Sequence, residues 1–244
     1  MRSCTGLGGL IQKRSLSFLK PPDLHKRNWK KDVVYLYQFK RSPVMPNLSP
    51  FCMKVETYLR ANKINYEPLG SWTIRSKEGR VPFIELNGKQ IADSQLILWH
   101  LEKHFKINEG LNPEQAGIAR AVDRMMEGSS YYAITYFRSI EGAYNSANPN
   151  VKGIARHNRE TIIEILRRDV QAVDQILGDK KFIIGVQPTI PDFSVFGHLG
   201  VGYFLPFRQP IQDLLDEEFP RVRQLLERIR LNYYPDWPKK PNTN

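Results

Sequence analysis

The chain has 244 residues, 41% of them hydrophobic, which is enough to bury a sizeable core, and it contains no low-complexity block. Residues 1–31 hold eight of the 36 basic residues and one of the 25 acidic residues, so this tail carries most of the net charge of +11. The remainder is nearly balanced, which argues against nucleic acid as a partner.

The tail has the composition of a targeting segment. Its first 22 residues contain four basic residues, several serines and no acid. This is typical of a mitochondrial transit peptide, although three glycines weaken any amphipathic helix. A basic arm that contacts a membrane surface is the alternative, and both stay open. With two cysteines and no secretory hydrophobic segment, a cytoplasmic or mitochondrial location is expected, and not secretion.

Residues 32–107 alternate short strand patterns with two helix patterns. Strands are predicted at 32–39, 64–69, 81–86 and 89–93, and helices at 51–64 and 94–105. Ser49 and Pro50 are typical of an N-cap and a first helical position. Asn87-Gly88 favours a hairpin between the last two strands, and Asp93 or Ser94 caps the helix that follows.

From Pro113 onward the pattern is helical. Helices are predicted at 114–140, 151–178, 190–203 and 211–231. Thr189 and Asp192 form a variant of the capping box at the third of these helices. We therefore expect a tail at 1–31, a βαβ-ββα domain at 32–107, a linker near 108–113 and an all-α domain at 113–235.

The segment Ser49-Pro50-Phe51-Cys52 lies at a junction where a thiol–disulfide oxidoreductase has C-x-x-C. A hydroxyl in the first position cannot form a disulfide, but it can donate a hydrogen bond to the thiolate of a ligand. Alternatively, Ser49 only caps the helix. Cys52, if exposed, has a lowered pKa and forms mixed disulfides; if buried, it is a small apolar core residue.

Two stretches, RSKEGRVPFIELNGKQIADSQLILWHLEKHF (75–105) and FIIGVQPTIPDFSVFGHL (182–199), resemble signatures of the cytosolic glutathione transferase superfamily. Within it, residues 37–60 look most like the failed-axon-connections group, whose relatives are the cadmium-responsive nematode proteins and the metaxins. The resemblance covers about residues 32–235. It implies a thioredoxin-like N-terminal domain, an all-helical C-terminal domain and a homodimer.

The resemblance also implies a site for glutathione as co-substrate. Ser49 would donate to its thiolate, with Tyr37 as the runner-up. A cis Val81-Pro82 bond would turn the Val81 backbone toward the cysteinyl unit of the ligand.

At the γ-glutamyl end of the ligand, Asp93 would pair with the ammonium and Ser94 would hold the carboxylate. Arg75, Lys77 and Arg80 are candidates for the glycyl carboxylate. No metal is expected, because His100 and His104 do not follow the H-E-x-x-H pattern.

Two functions are compatible with these residues. The first is a glutathione-dependent enzyme that conjugates or reduces a hydrophobic electrophile, for which tyrosines in 128–137 are candidate pocket residues. The second is a non-catalytic module that docks partners or sits at a membrane, as the axonal and metaxin relatives suggest. The proline-bearing loop 40–50, which departs from ordinary transferases, motivates the second.

Overall fold

The computed structural model describes residues 24–141, 151 and 153–238. Within them, the N-terminal part forms one four-stranded sheet in the order β2-β1-β3-β4. The strands are β1 (Val34–Gln38), β2 (Tyr66–Gly70), β3 (Phe83–Leu86) and β4 (Lys89–Ala92). β2 runs parallel to β1, whereas β3 is antiparallel to both of its neighbours. This is the predicted βαβ-ββα arrangement.

Two helices cover one face of the sheet. They are α1 (Pro50–Ala61) and α2 (Ser94–Phe105). Their apolar residues, among them Val55 and Leu98, pack on the alternate strand residues that include Leu36 and Ile84. Asp93, rather than Ser94, is the N-cap of α2, because its carboxylate accepts from the backbone N–H groups of the first turn.

The opposite face is covered by residues 24–33, which we call the N-terminal strap. The backbone N–H groups of His25 and Lys26 donate to the two carboxylate oxygens of Glu85, at 2.7 and 2.8 Å. Glu85 lies on β3 and is 1% exposed. The last residues of the predicted tail, 24–31, therefore belong to the folded structure and not to a separate arm. The predicted basic segment 1–22 lies outside the described residues.

The C-terminal part is helical. Its α-helices are α3 (Pro113–Met125), α4 (Tyr131–Tyr136), α5 (Arg159–Leu177), α6 (Ile190–Tyr203), α7 (Pro210–Asp213) and α8 (Pro220–Tyr233). π-helical turns follow α3, α4 and α7, at Met126–Ser130, Phe137–Glu141 and Leu214–Glu218. The fold class predicted from the sequence, a thioredoxin-like domain followed by an all-α domain, is confirmed.

Three predicted helix boundaries can be compared with the structure. The bounds of α6 coincide with the predicted 190–203, and Thr189 and Asp192 form the predicted capping box. The helix predicted at 151–178 starts at Arg159, where Asn158 caps it. The helix predicted at 211–231 is divided before Pro220, because proline lacks the N–H that a continuous helix needs.

Close contact between α1 and α6 joins the two parts. A Cβ atom on Gly197 would lie 2.6 Å from the backbone oxygen of Pro50 and 3.1 Å from the backbone nitrogen of Lys54. Only glycine allows the two backbones to approach this closely. The first turn of α1, which follows Ser49, is thus held directly against the C-terminal helices.

Candidate functional site

A cavity of about 430 Å³ lies between the first turn of α1, the loop before β3 and the helical segment 131–139. Its lining residues come from these three segments: Phe39, Leu48, Ser49, Pro50 and Phe51; Arg75, Gly79, Arg80 and Val81; Tyr131, Thr135, Arg138 and Ser139. The fold therefore brings together four of the predicted site residues, namely Ser49, Val81, Arg75 and Arg80.

Ser49 is the N-cap of α1, as predicted, and it has an extended backbone. Its hydroxyl accepts from the Cys52 N–H at 3.4 Å, which is long for a capping bond. Ser49 is 9% exposed and is one of the residues that line the cavity. The cap by itself does not exclude a thiolate-donor role, because the cap uses an oxygen lone pair and donation uses the hydrogen. The Cys52 thiol, which also interacts with this hydroxyl, would compete with a ligand for that hydrogen.

The end of the three-proline loop 40–50, at Leu48, Ser49 and Pro50, forms part of the cavity wall. Asn47 fixes the end of the loop: its side chain donates to the Phe39 carbonyl at 2.9 Å and accepts from the Ser49 N–H at 3.0 Å. Met45 is fully buried against the C-terminal helices. The loop is thus anchored beside the cavity, and Ser49 remains part of the cavity wall.

The Val81-Pro82 peptide bond is cis, as the family resemblance implies. Val81 lines the cavity, whereas Pro82 is buried behind it. In the preceding loop, the Arg75 guanidinium lies over the Phe39 ring at 5.3 Å. Lys77 is not among the lining residues, and its backbone N–H donates to Gln90. Of the three basic candidates, the structure thus brings two to the cavity.

Cys52 lies one turn into α1 and is fully buried. Burial raises the pKa of its thiol to about 12, although the Ser49 hydroxyl opposes that shift. A neutral, buried thiol is a poor nucleophile. This environment fits the structural alternative for Cys52 and not the exposed, low-pKa thiol that a mixed disulfide requires.

Two family models match most of the chain: the glutathione S-transferase N-terminal domain over residues 50–145 and the glutathione S-transferase C-terminal domain over residues 166–229. The chain belongs to the glutathione transferase superfamily. The family resemblance seen in the sequence is therefore confirmed.

The relatives described next include one protein that is named for an enzymatic reaction and two that are not. Failed axon connections of Drosophila melanogaster is 31% identical over 256 residues, which cover 88% of this chain and 61% of that protein. Metaxin-2 of Mus musculus is 25% identical, with 67% of this chain and 73% of that protein covered. The isoprene-epoxide glutathione S-transferase of Rhodococcus sp. (strain AD45) is 26% identical, with 78% and 94% covered. The chain thus falls in the failed-axon-connections and metaxin-like group.

A solved glutathione S-transferase from Methylobacterium radiotolerans, in complex with glutathione sulfonate, superposes with a TM-score of 0.62. It shares 17% sequence identity, and the superposition covers 87% of this chain and 97% of that one. At this identity the likeness concerns the fold.

Tyr37, the runner-up donor among the transferase-like residues, does not line the cavity. Its hydroxyl donates to Glu85 at 3.1 Å, and its ring stacks on Phe83 with the centroids 4.4 Å apart. Burial, followed by the nearby Glu85 charge, raises the pKa of Tyr37 above its ordinary value. The hydroxyl is therefore engaged on the strap side of the sheet, away from Ser49.

Asp93 and Ser94, the transferase-like acid-serine pair, do not line the cavity either. The Asp93 carboxylate accepts from the N–H groups of Gln95 and Leu96, so it serves α2 as a cap. Ser94 is 5% exposed, and its hydroxyl donates to Glu127 at 3.5 Å. A ligand carboxylate at Ser94 would meet the Glu127 carboxylate, which is a repulsive contact unless Glu127 moves.

A buried charged cluster behind this pair was not predicted from the sequence. Lys54 on α1 is fully buried and reaches Asp123 at 2.5 Å and Glu127 at 2.9 Å. Ser194 on α6 also donates to Asp123. In the sequence, Asp123 and Glu127 are four residues apart, which places them on one face of a helix. This spacing does not show that their partner is a lysine on α1.

In the described parts of the chain, no group of three or more His, Cys, Asp or Glu side chains is arranged to hold a metal ion. His104 instead pairs with Asp32 at 2.8 Å. Nor do those parts include a helix with the length and apolar character needed to span a membrane. Of the tyrosines considered for an electrophile pocket, Tyr131 lines the cavity.

Proposed function

We propose that the cavity binds glutathione and that the protein is a glutathione-dependent transferase, in which the Ser49 hydroxyl stabilises the glutathione thiolate. The observation that carries this proposal is the position of Ser49. Ser49 caps the N-terminus of α1 and lines a cavity that Val81, Arg75 and Arg80 also line.

The energetics are sufficient for such a role. A free thiol has a pKa near ~8.5, and lowering it by one to two units needs about 1.4–2.7 kcal/mol of preference for the thiolate. A helix N-terminus contributes about 0.3–1 kcal/mol. A hydroxyl that donates to a charged acceptor contributes about 1.5–3 kcal/mol. Together, these two interactions keep bound glutathione largely ionised at neutral pH.

Conjugation then follows from this arrangement. The thiolate attacks an electrophilic carbon, a C–S bond forms, and the bond from that carbon to its leaving group breaks with the electron pair on the leaving group. Arg75 and Arg80 are suited to the glycyl carboxylate, because guanidinium groups bind carboxylates in a bidentate manner. Val81 offers its backbone N–H and carbonyl to the cysteinyl unit of the ligand.

Calorimetric titration with glutathione tests the proposal. We expect saturable binding at or below millimolar glutathione, weakened by Arg80→Gln and unaffected by Arg168→Gln, an exposed arginine on α5. Turnover of glutathione with 1-chloro-2,4-dinitrobenzene is the second readout, and Ser49→Ala should lower its rate at saturating glutathione. Absence of binding would refute the proposed function.

A second candidate is a non-catalytic module that keeps the transferase fold for docking. It is favoured by the Glu127 carboxylate at Ser94 and by the similarity to failed axon connections and metaxin-2. This candidate predicts no turnover of glutathione with any electrophile. Measurable conjugation that depends on Ser49 separates the two candidates in favour of the enzyme.

We further propose that the protein acts in the cytoplasm or at mitochondria, that a basic N-terminal segment contacts a membrane surface, and that two copies form a homodimer. Sedimentation analysis of the protein checks whether it is a homodimer. Binding of the full chain and of a chain starting at residue 24 to anionic vesicles checks the membrane contact.

A further inference from the structure

We propose that the end of the sheet opposite the cavity is a docking surface for a membrane that contains anionic phospholipids. The surface consists of five basic residues and one tryptophan, and we call it the basic face: Arg27, Trp29, Lys30 and Lys31 of the strap, Lys89 of β4 and Lys103 of α2. It goes beyond the proposed glutathione function, and it is separate from residues 1–22.

Contacts around the hairpin turn hold these three segments together. The Trp29 ring lies over Gly88, where a Cβ atom would come within 3.3 Å of it. The Asp32 N–H donates to the Asn87 side-chain oxygen at 2.8 Å, and the Asn87 amide donates back to the Asp32 carboxylate at 2.9 Å. His104, near the end of α2, pairs with the same carboxylate at 2.8 Å. The basic residues that flank these contacts therefore share one end of the sheet.

The charges of the basic face are not neutralised within the protein. All five basic side chains belong to exposed residues, and in the part of the chain that the structure describes none of them forms an ion pair. The Asp32 carboxylate, which lies among them, is already engaged by two neighbours. Burial, followed by the positive charges of neighbours that include Lys89 and Lys103, lowers the pKa of His100. A cluster of unpaired cations of this size attracts an anionic surface.

Trp29 indicates which anionic surface fits. Its side chain is 39% exposed, and the next residue is fixed to the sheet because the Lys30 N–H donates to the Tyr35 hydroxyl at 2.9 Å. Tryptophan is enriched at the boundary between water and the hydrocarbon of a bilayer, where its ring meets apolar carbon and its N–H meets polar groups. Lysines beside it would meet the lipid phosphates. Surfaces for single-stranded nucleic acid instead combine a groove with several stacking rings, whereas Trp29 is the single ring among the six residues of the basic face.

A membrane at the basic face leaves the cavity accessible. Along β1, the chain runs from Val34, next to the strap, to Gln38 and then to Phe39, which lines the cavity. In the opposite direction, it runs from Val81 at the cavity through β3 to the hairpin turn at Asn87. The basic face and the cavity therefore lie at opposite ends of the same strands.

Co-sedimentation of the full chain with vesicles tests the inference. Vesicles of phosphatidylserine and phosphatidylcholine are compared with vesicles of phosphatidylcholine alone, which should bind the wild-type protein at least tenfold more weakly. In Lys30→Gln/Lys31→Gln, the affinity for the anionic vesicles should fall about tenfold, which corresponds to ~1.4 kcal/mol. The fall should be smaller at high salt.

A matched control removes two other neighbouring lysines. Lys180 and Lys181 follow α5 in the C-terminal part and are exposed, like the two lysines of the strap. Lys180→Gln/Lys181→Gln should bind the anionic vesicles as the wild-type protein does. Equal losses in the two double variants would show that net charge, and not the basic face, determines binding, and would overturn the inference.

Vesicles with brominated acyl chains, which quench tryptophan fluorescence on contact, test the position of Trp29. They should quench the fluorescence of the wild-type protein, and most of that quenching should be lost in Trp29→Phe. Undiminished quenching in this variant would mean that another tryptophan meets the bilayer, which contradicts the proposed surface.

The outcomes separate this inference from the proposals above. Every variant keeps residues 1–22, so wild-type affinity of Lys30→Gln/Lys31→Gln for the anionic vesicles would overturn the inference without affecting a contact by the N-terminal segment. Loss of binding to poly(U) RNA without loss of binding to the vesicles would overturn it as well. Calorimetric titration with glutathione should give the same affinity for this variant and the wild-type protein. Absence of glutathione binding in both would refute the proposed function and leave the vesicle result unchanged.

Discussion

At the scale of single residues, burial decides what Cys52 can do. Burial raises the pKa of its thiol to about 12, so the thiol is almost entirely neutral at pH 7. In a Cys4→Ser variant, we therefore expect Cys52 to react with 5,5′-dithiobis(2-nitrobenzoic acid) at least a hundredfold more slowly in the native protein than in urea. Fast native labelling would contradict the structural role of Cys52.

Lys54 is the residue whose removal should cost the most stability. In Lys54→Met, the carboxylates of Asp123 and Glu127 lose their buried partner, so the free energy of unfolding should fall by about 3–5 kcal/mol. Urea denaturation measures this change. Lys103→Met, at an exposed position on α2, is the matched control and should change stability by no more than about 0.5 kcal/mol. Equal stability of the two variants would show that the cluster is not coupled to folding.

At the scale of secondary-structure elements, the contact between α1 and α6 depends on Gly197. Because the added Cβ atom meets backbone atoms that cannot rotate away, Gly197→Ala should destabilise the protein by about 1–3 kcal/mol and disturb the first turn of α1. Gly117→Ala on α3 is the control: its Cβ meets nothing within 4 Å, and alanine should stabilise that helix by about 0.5–1 kcal/mol. In thermal unfolding, Gly197→Ala should have a lower midpoint temperature than the wild-type protein, and Gly117→Ala should have a higher one.

The contact of Glu109, in the linker, with the first residue of α6 should make the free energy of unfolding depend on pH. Glu109 accepts from the Ile190 N–H at 2.7 Å, and burial raises the pKa of its carboxyl from 4.5 to about 7. The folded protein therefore binds a proton that the unfolded chain releases between these values. The contribution of Glu109 to stability should be present below pH 4.5 and should be lost as the pH rises through 7.

Unfolding free energies of the wild-type protein and Glu109→Gln, measured from pH 4.5 to 7, test this sign. The amide keeps an acceptor oxygen but does not titrate, so the variant should become more stable relative to the wild-type protein as the pH rises. Parallel profiles for the two proteins would contradict the raised pKa.

At the scale of the whole molecule, the sequence predicted the fold class, because local signals and the family resemblance agreed. The strand patterns, Asn87-Gly88 and the Thr189–Asp192 capping box each correspond to an element of the structure. The strap was not predicted, since residues 24–31 have the composition of a flexible basic tail. Their contacts with Glu85 and Tyr35 form only when the sheet is assembled.

The candidate site was predicted only in part, for the same reason. Ser49 carries a local signal, an N-cap before proline, and it lies at the cavity. The spacing of residues in the sequence does not show which side chains the packing of distant helices will bury or expose. The burial of Ser94 beneath Glu127, and the entry of Arg138 from the C-terminal part, depend on how the helices pack across the two parts.

The ultraviolet absorbance of the bound glutathione thiolate, titrated against pH, tests most directly whether Ser49 stabilises that thiolate. We expect a bound thiol pKa at least one unit below that of free glutathione in the wild-type protein and in Asn112→Ala, which loses the N-cap of α3 instead. In Ser49→Ala, the pKa of the bound thiol should return to nearly that of free glutathione. A bound thiol with an unchanged pKa in the wild-type protein, or one equally lowered in Ser49→Ala, would contradict the claim.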